Sequence, residues 1–260
     1  MNIYEFAPIR FLVTVAHWVV THLTDLLYPL AGVGSAALAI VALTLLVRSA
    51  LLPVGISQAK ANATRQRLAP KIAELNKKYK SQPELLQRKM MEMYTEEGAS
   101  PLAGCLPVLA QMPILMAVYG LFIRPTINSE PNELLGYPLF GVPLDAGLIG
   151  ELSAGTLTLG AAALFLTIIA LIAAVAQVTR RKLTPAAGTA APAPGAVGSD
   201  TAPAGMPNMA GMTKVLSYLP FMTAVIASVV PLAAALYLLT TTSWTLGERL
   251  VLNRKYLPAP

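Results

Sequence analysis

Long apolar runs alternate with polar segments along the chain, and the lengths of the runs predict helices that cross a membrane. A bilayer core of about 30 Å is crossed by roughly 20 apolar residues in a helix. Runs near this length lie at 31–57, 102–124, 156–179, 214–230 and 231–248. The last two form one stretch that is too long for a single span, and Pro231 divides it because proline breaks a helix interior. The pattern therefore predicts five spans, of which the last two are short.

The composition supports a membrane protein. Hydrophobic residues make up 55% of the 260 residues and charged residues only 12%, whereas a soluble domain carries about 25% charged residues. The single cysteine, Cys105, excludes an internal disulfide. No apolar stretch followed by a small-residue cleavage site opens the sequence, so we expect no cleaved signal peptide. The predicted fold class is an all-α integral membrane protein: a five-span helical bundle with a cytoplasmic helical hairpin and an external amphipathic helix.

Basic residues are distributed unequally between the loops, and this predicts the orientation. Nine Lys and Arg residues lie in the segment 58–101, four between the third and fourth spans, and three in the tail 249–260. The opposite side holds only Arg10 and Arg124. Lys and Arg accumulate in cytoplasmic loops. We therefore expect a multi-pass protein of the bacterial cell membrane, with the N-terminus outside, an external loop at 125–155 and a cytoplasmic C-terminus.

The first 30 residues are apolar but interrupted by polar side chains, and two interpretations stay open. The interruptions are His17, Thr21, His22, Thr24 and Asp25. They favour an amphipathic helix that lies on the outer membrane face, and a sixth span is the alternative. His17 and His22 lie about 140° apart around a helix, which places them poorly for sharing a metal ion. We predict neither a metal nor a cofactor.

The segment 58–101 has the pattern of two amphipathic helices. Leu68, Ile72, Leu75 and Tyr79 form one apolar stripe, and a second stripe follows at Leu86, Met90 and Met93. Between them "SQPE" predicts a capping box, with Ser81 as N-cap and Glu84 three residues later. Gly98 can end the second helix, and Pro70 interrupts the first helix or marks where its exposed part begins.

The role of this hairpin has two interpretations. It is either a solvated loop, whose Lys and Arg residues only reflect its cytoplasmic position, or a docking arm for an acidic partner, such as ribosomal RNA or anionic lipid. Nine basic residues against five acidic ones are not extreme, so charge alone favours the solvated loop. The segment 180–213, rich in Pro, Ala and Gly, is predicted to be a disordered cytoplasmic linker.

Arg48 is the most informative residue, because it is a permanent charge inside the first span ("ALTLLVRSALLP"). A charge at a span centre costs roughly 2.5–3.5 kcal/mol on insertion scales. An arginine that snorkels to the inner headgroups is one explanation. The other is a water-filled pocket in the inner half of the membrane, with a polar wall that leaves the charge unneutralised. The candidate wall residues are Thr44, Gln111, Gln177, Thr240, Thr241 and Thr242.

Catalytic motifs are lacking in the sequence. No P-loop, GxGxxG or HExxH occurs, and the acidic residues lie outside the predicted span interiors. Coupled transporters keep carboxylates or broken helices within their spans. The sequence therefore predicts a protein that is not an enzyme.

Three quoted segments resemble the YidC insertases and their mitochondrial and chloroplast relatives. They are "VRSALLPVGISQ", with an arginine in the first core span followed by Pro and Gln; "SPLAGCLPVLAQMPILMAVYGLF", after the charged hairpin; and "PLAAALYLLTTTSWTLGERLVLNR", the final helix. Together they cover most of the chain, from about residue 6 to residue 255. One departure is Leu238, since an aromatic residue usually follows the tyrosine of the last span.

The resemblance implies a hydrophilic groove that is open to cytoplasm and lipid and closed to the outside. It maps the groove arginine onto Arg48 and a groove glutamine onto Gln177. It implies a membrane protein insertase that also assists folding. The implied partners are nascent membrane proteins, the Sec translocon, the ribosome and membrane lipids. A long N-terminal periplasmic domain and a long basic tail are both missing, which suggests a Gram-positive and more narrowly an actinobacterial member.

Two other function classes stay open. A transporter or channel for a small anion would use Arg48 as its binding residue, but it would need a polar outer half as well. The outer halves of these spans are nearly all Ala, Leu, Val and Ile. A structural translocon subunit without activity of its own is the second alternative.

Overall fold

The computed structural model describes residues 6–79, 81–98, 106–127, 130–183 and 218–256, without the side chains of Arg65, 106–111 and 114–115. The α-helices of these residues are α1 Ala7–Ala31, α2 Ser35–Ala50, α3 Leu52–Lys78, α4 Pro83–Glu96, α5 Leu106–Ile123, α6 Leu148–Ala154, α7 Leu159–Leu183, α8 Met222–Ala227 and α9 Leu232–Tyr256. Two antiparallel ribbons join α5 to α6: β1 Thr126–Ile127 with β2 Glu130–Pro131, and β3 Pro138–Leu139 with β4 Val142–Pro143. The chain is thus mostly helical. Most of the predicted linker lies outside the described residues.

Helix α9 is the centre of the bundle. It packs against α2, α3, α5, α7 and α8. Its first turn is buried and rich in alanine, with Ala233, Ala234 and Ala235 fully buried, and such small side chains let neighbouring helices approach closely. The predicted break at Pro231 is confirmed, because Pro231 separates α8 from α9.

The described helices in the segments predicted as the fourth and fifth spans do not share the bounds of those predicted spans, which stay a prediction. Within 214–230 the described helices are a 3₁₀ turn, Leu219–Phe221, and the six-residue α8. Helix α9 continues to Tyr256, well into the segment predicted as a tail. Two described stretches, Ala7–Ala50 and Leu159–Leu183, are long and apolar enough to cross a membrane. The chain is therefore mostly helical with two candidate membrane-spanning stretches, as an all-α membrane protein requires, and the number of five spans stays a prediction.

The segment between α5 and α6 closes the bundle at the end where α9 begins. Leu134, Leu135, Val142 and Leu144 are buried in the same core as the helices. The carbonyls of Ala146 and Leu144 accept hydrogen bonds from the first amides of α9, at 2.8 and 2.9 Å. Those amides would otherwise lack partners, as at any helix start. The segment is thus a packed cap rather than a free loop.

Helix α1 has three different faces. One face is buried against α2 and α5 and contains Ile9, Val13, Val20 and Thr24. A second face is apolar and exposed, with Phe11, Val15, Trp18 and Leu26. The third is polar, and its residues recur at helical spacing: Arg10, Thr14, His17, Thr21 and Asp25. Glu133, in the cap segment, lies near enough to His17 to interact with it electrostatically.

Helices α3 and α4 form the predicted hairpin around a small core of their own. Leu68, Ile72, Met93 and Tyr94 are buried in it. Glu97 accepts hydrogen bonds from Lys71 and, at 3.2 Å, from Arg67. The hydrogen bond and charge of Lys71 lower the pKa of the Glu97 carboxyl. These contacts join the end of α4 to the middle of α3.

One detail of the predicted hairpin is wrong, one alternative for another is excluded and a third detail is confirmed. Ser81 is not the N-cap: α4 starts at Pro83 after Gln82, which makes no side-chain capping bond. A proline is tolerated in the first helical turn because its missing amide would have no partner there, so Pro83 sets the start. Pro70 does not interrupt α3, which runs through it, so the other interpretation, that it marks where the exposed part of the helix begins, stays a prediction. Gly98, with φ of 59°, follows α4 as predicted.

Candidate functional site

Arg48 lies near the end of α2 and reaches across to α9. Its Nε donates a hydrogen bond to Thr241 Oγ1 at 2.7 Å, and one terminal nitrogen donates to the same oxygen. The arginine is half-buried and Thr241 is buried. Helix α2 ends two residues later, at Ala50, and α3 begins at Leu52. The guanidinium is therefore held between two helices just before the chain turns into the hairpin.

The charge of Arg48 is not neutralised. Among the described residues, no carboxylate lies within salt-bridge distance of its guanidinium. Thr241 is a neutral acceptor, so it fixes the orientation of the guanidinium and removes none of its charge. A hydrogen bond to a charged group contributes about 1.5–3 kcal/mol. An oriented, uncompensated cation of this kind can attract an acidic group.

The side chains around this pair are polar only in part. Thr44 is buried one turn before Arg48, but its hydroxyl donates back to the Ile40 carbonyl at 2.7 Å. Tyr237 is buried one turn before Thr241, and its hydroxyl interacts with Thr241. The Tyr237 ring packs on Phe122 of α5, with ring centroids 6.0 Å apart. Tyr237 was not among the predicted site residues, although its spacing from Thr241 could have suggested it.

The two predicted glutamines have different outcomes. Gln177 lies on α7, half-buried, and no hydrogen bond joins it to Arg48 in the described part of the chain. Gln111 lies on α5, but its side chain is outside the described residues. Thr240 and Thr242 donate to backbone carbonyls of their own helix. Of the predicted residues whose side chains the structure describes, Thr241 is thus the one joined to Arg48.

Farther along α9, a group of residues at the base of the hairpin was not predicted. The indole nitrogen of Trp244 donates to a carboxylate oxygen of Glu248 at 3.1 Å. The other oxygen of Glu248 occupies the space that a Cβ at Gly55 of α3 would take. Glu248 follows Thr241 by two helical turns, so helical spacing could have placed both on one face. The contact with Gly55 depends on how α3 packs.

Comparison with known protein families shows which family the chain belongs to. The family described as "60Kd inner membrane protein" matches residues 27–258, which is most of the chain. This chain belongs to the 60Kd inner membrane protein family. The matched range includes Arg48, Thr241 and Glu248.

Relatives of this 60Kd inner membrane protein family member carry the name "Membrane protein insertase YidC". The protein of Streptomyces avermitilis is 30% identical over 232 residues, which are 84% of this chain and 51% of the relative. That of Clostridium perfringens is 49% identical over 92 residues, 35% of this chain and 39% of the relative. That of Oceanobacillus iheyensis is 40% identical over 118 residues, 43% and 47% of the two chains.

These similarities confirm the resemblance to the YidC insertases. The chain spans about half or less of the length of these relatives. The Gram-positive origin is tested by none of these findings and stays a prediction.

Proposed function

We propose that this chain is a membrane protein insertase that moves nascent membrane proteins from the cytoplasm into the bilayer through a groove beside Arg48. The observation that carries the proposal is the uncompensated guanidinium, oriented by a neutral hydroxyl of the central helix. The names of the relatives point to the same function. Assistance with folding of the inserted proteins belongs to the proposal.

The mechanism follows from the cost of moving polar groups through hydrocarbon. A polar tail of a client must cross about 30 Å of it. A hydrated groove in the inner half shortens that path, and Arg48 attracts the acidic groups of the tail. The cap segment with buried Leu134 and Leu144 keeps the other end closed. The apolar segment of the client then enters the lipid, which supplies roughly 0.8 kcal/mol per buried methylene.

The wall of the groove belongs to the proposal as well. Arg48 and Thr241 are its centre, and Thr44, Gln177 and Gln111 line it when a client or water occupies it. Their amide and hydroxyl groups donate or accept hydrogen bonds without neutralising the guanidinium. Among these groove residues, Arg48 is therefore the one that attracts acidic tails by its charge.

The proposed orientation places the N-terminus outside and the hairpin and C-terminus in the cytoplasm. The three faces of α1 support a helix lying at the outer interface: its polar stripe meets water, its exposed apolar face meets lipid and its third face meets the bundle. A helix spanning the bilayer would hold that polar stripe, including Arg10 and Asp25, within hydrocarbon. The bilayer over the short helix α8 would be thinner than average.

The partners follow from the position of each surface. The basic hairpin faces the side from which nascent chains arrive, so it is the proposed contact for the ribosome and for anionic lipid. The Sec translocon is the proposed partner for clients with larger translocated segments. The hairpin core of Leu68, Ile72 and Met93 makes this arm a folded unit that can present its charges together.

Insertion by the purified chain in liposomes tests the function. We expect a client with a short acidic tail to acquire a protease-protected fragment in liposomes that contain the chain, at least about tenfold more than in protein-free liposomes. Anion flux through the same liposomes should not exceed the protein-free level. Flux without insertion would favour the anion transporter, and neither activity would favour a structural subunit.

A further inference from the structure

Helices α3 and α9 leave the bundle side by side and in the same direction. Gly55 of α3 contacts Glu248 of α9. Farther along both helices, the Lys60 ammonium lies 5.6 Å from the centre of the Tyr256 ring. Ala59 and Leu252, one turn beyond the first contact, are both buried. The base of the hairpin is therefore braced by the last turns of the central helix.

Glu248 fills the contact between the two helices. One of its oxygens accepts the Trp244 indole hydrogen bond at 3.1 Å, and the other lies against Gly55, where any larger residue would meet it. In the described part of the chain, Glu248 has no cation within salt-bridge distance. Its side chain is held by an indole and a glycine, which together fix its rotamer.

The contact between Glu248 and Gly55 lies on the same face of α9 as Thr241, which binds Arg48 of α2. Glu248 follows Thr241 by seven residues, which is two turns and about 10 Å along the helix. Residues seven apart lie on the same side of an α-helix. A shift of α3 relative to α9 at Gly55 would move the end of α2, because only Leu51 separates the two helices. Such a shift would alter the geometry in which Arg48 meets Thr241.

We propose that Glu248 is a positioning residue: held by Trp244 and seated on Gly55, it fixes the base of the hairpin against α9 and so sets the position of Arg48 in the groove. This inference rests on the proposed insertase function. The shape of the Glu248 side chain and its acceptor oxygen matter here, and its negative charge does not. A client-binding carboxylate would depend on the charge instead.

Four variants separate these roles: Gly55→Ala, Glu248→Ala, the double variant and Glu248→Gln. Each is made in a Cys105→Ala background that also carries Lys60→Cys and Tyr256→Cys. Two quantities are measured per folded molecule: the rate of disulfide formation between positions 60 and 256, and insertion of an acidic-tail client in vesicles. The rate of disulfide formation does not depend on the insertase function. If that function fails, the contact of Glu248 with Trp244 and Gly55, called the clamp, can still be tested.

We expect Gly55→Ala, Glu248→Ala and the double variant to lower both quantities to the same extent, by about tenfold, which is near the upper end of the net contribution of one ordinary intramolecular hydrogen bond. The effects should not multiply, because both changes remove one contact. Glu248→Gln keeps an acceptor oxygen and the shape, so it should stay within about twofold of the parent. A loss with Glu248→Gln as large as with Glu248→Ala would overturn the proposal, as would unchanged values for Glu248→Ala or multiplying effects.

Discussion

Replacing Arg48 by alanine is expected to lower insertion of a client with an acidic tail by about tenfold or more, and insertion of a matched neutral-tail client by less than about twofold. Two unit charges 4 Å apart interact by about 1 kcal/mol in water and about 4 kcal/mol near a protein surface. A hydrated groove lies between these limits, and 1.4 kcal/mol corresponds to a factor of ten. The two clients differ only in the carboxylates of the tail.

Three matched variants separate the charge from the shape of Arg48. Arg48→Lys keeps the charge and should retain much of the insertion. Arg48→Glu should be the worst for acidic tails, since like charges repel. Thr241→Val keeps the charge but removes the acceptor at 2.7 Å, so its effect on the acidic client should be smaller than that of Arg48→Ala.

The measurement for this series is insertion in vesicles that carry equal amounts of each variant. A snorkelling arginine predicts similar tolerance of all changes for both clients, apart from altered protein levels. Equal losses of both clients with Arg48→Ala would contradict the electrostatic role.

Replacing residues 64–96 by a short Gly-Ser linker is expected to leave the bundle folded and to lower insertion by about tenfold or more. The linker can close the gap because Glu97 contacts Arg67, which lies about one helical turn from the retained residue Ala63 on α3. The deleted part holds its own core, so its loss should not open the core around α9. Charged surfaces raise the rate of encounter with oppositely charged partners by 10-fold to 1,000-fold, and this contribution disappears.

A charge-neutral hairpin is the matched control for this deletion. Changing four of the exposed Lys and Arg residues of α3 and α4 to Gln leaves five basic against five acidic residues in the segment 58–101. It keeps the buried pair Leu68 and Met93 and removes the net attraction. If the hairpin docks an acidic partner, the control should lose most of what the deletion loses. Thermal unfolding and protein yield report whether the bundle is intact. Unchanged insertion in the deletion variant would reduce the hairpin to a solvated loop.

The helices could be predicted where a local signal sets their ends. Pro231 divides the last apolar stretch as expected, since a proline interrupts hydrogen bonds within its own helix. Pro70 carries the same signal and does not end α3, because the packing of Leu68 and Ile72 against α4 holds the helix on both sides. Ser81 matched a capping motif, yet the fixed φ of Pro83 determines the start of α4.

The site could be predicted only as far as single residues reveal it. Arg48 stands out because a charge within an apolar run has few structural explanations. Its partner Thr241 was one of three adjacent threonines, and only the rotation of α9 against α2 selects it. The clamp of Trp244, Glu248 and Gly55 was missed, because an ordinary helix pattern contains no sign of the glycine against which a carboxylate packs.

Access of water to position 48 tests the central claim most directly. In a Cys105→Ala background, Arg48→Cys is exposed to a membrane-impermeant thiol reagent in intact cells and in inverted vesicles. Lys78→Cys on the hairpin and Glu133→Cys in the cap segment, both exposed positions, serve as markers of the two sides. We predict that positions 48 and 78 react only in inverted vesicles and position 133 only in intact cells. No reaction of position 48 in inverted vesicles would contradict a hydrated groove, and reaction from the outside would indicate a pore through the membrane.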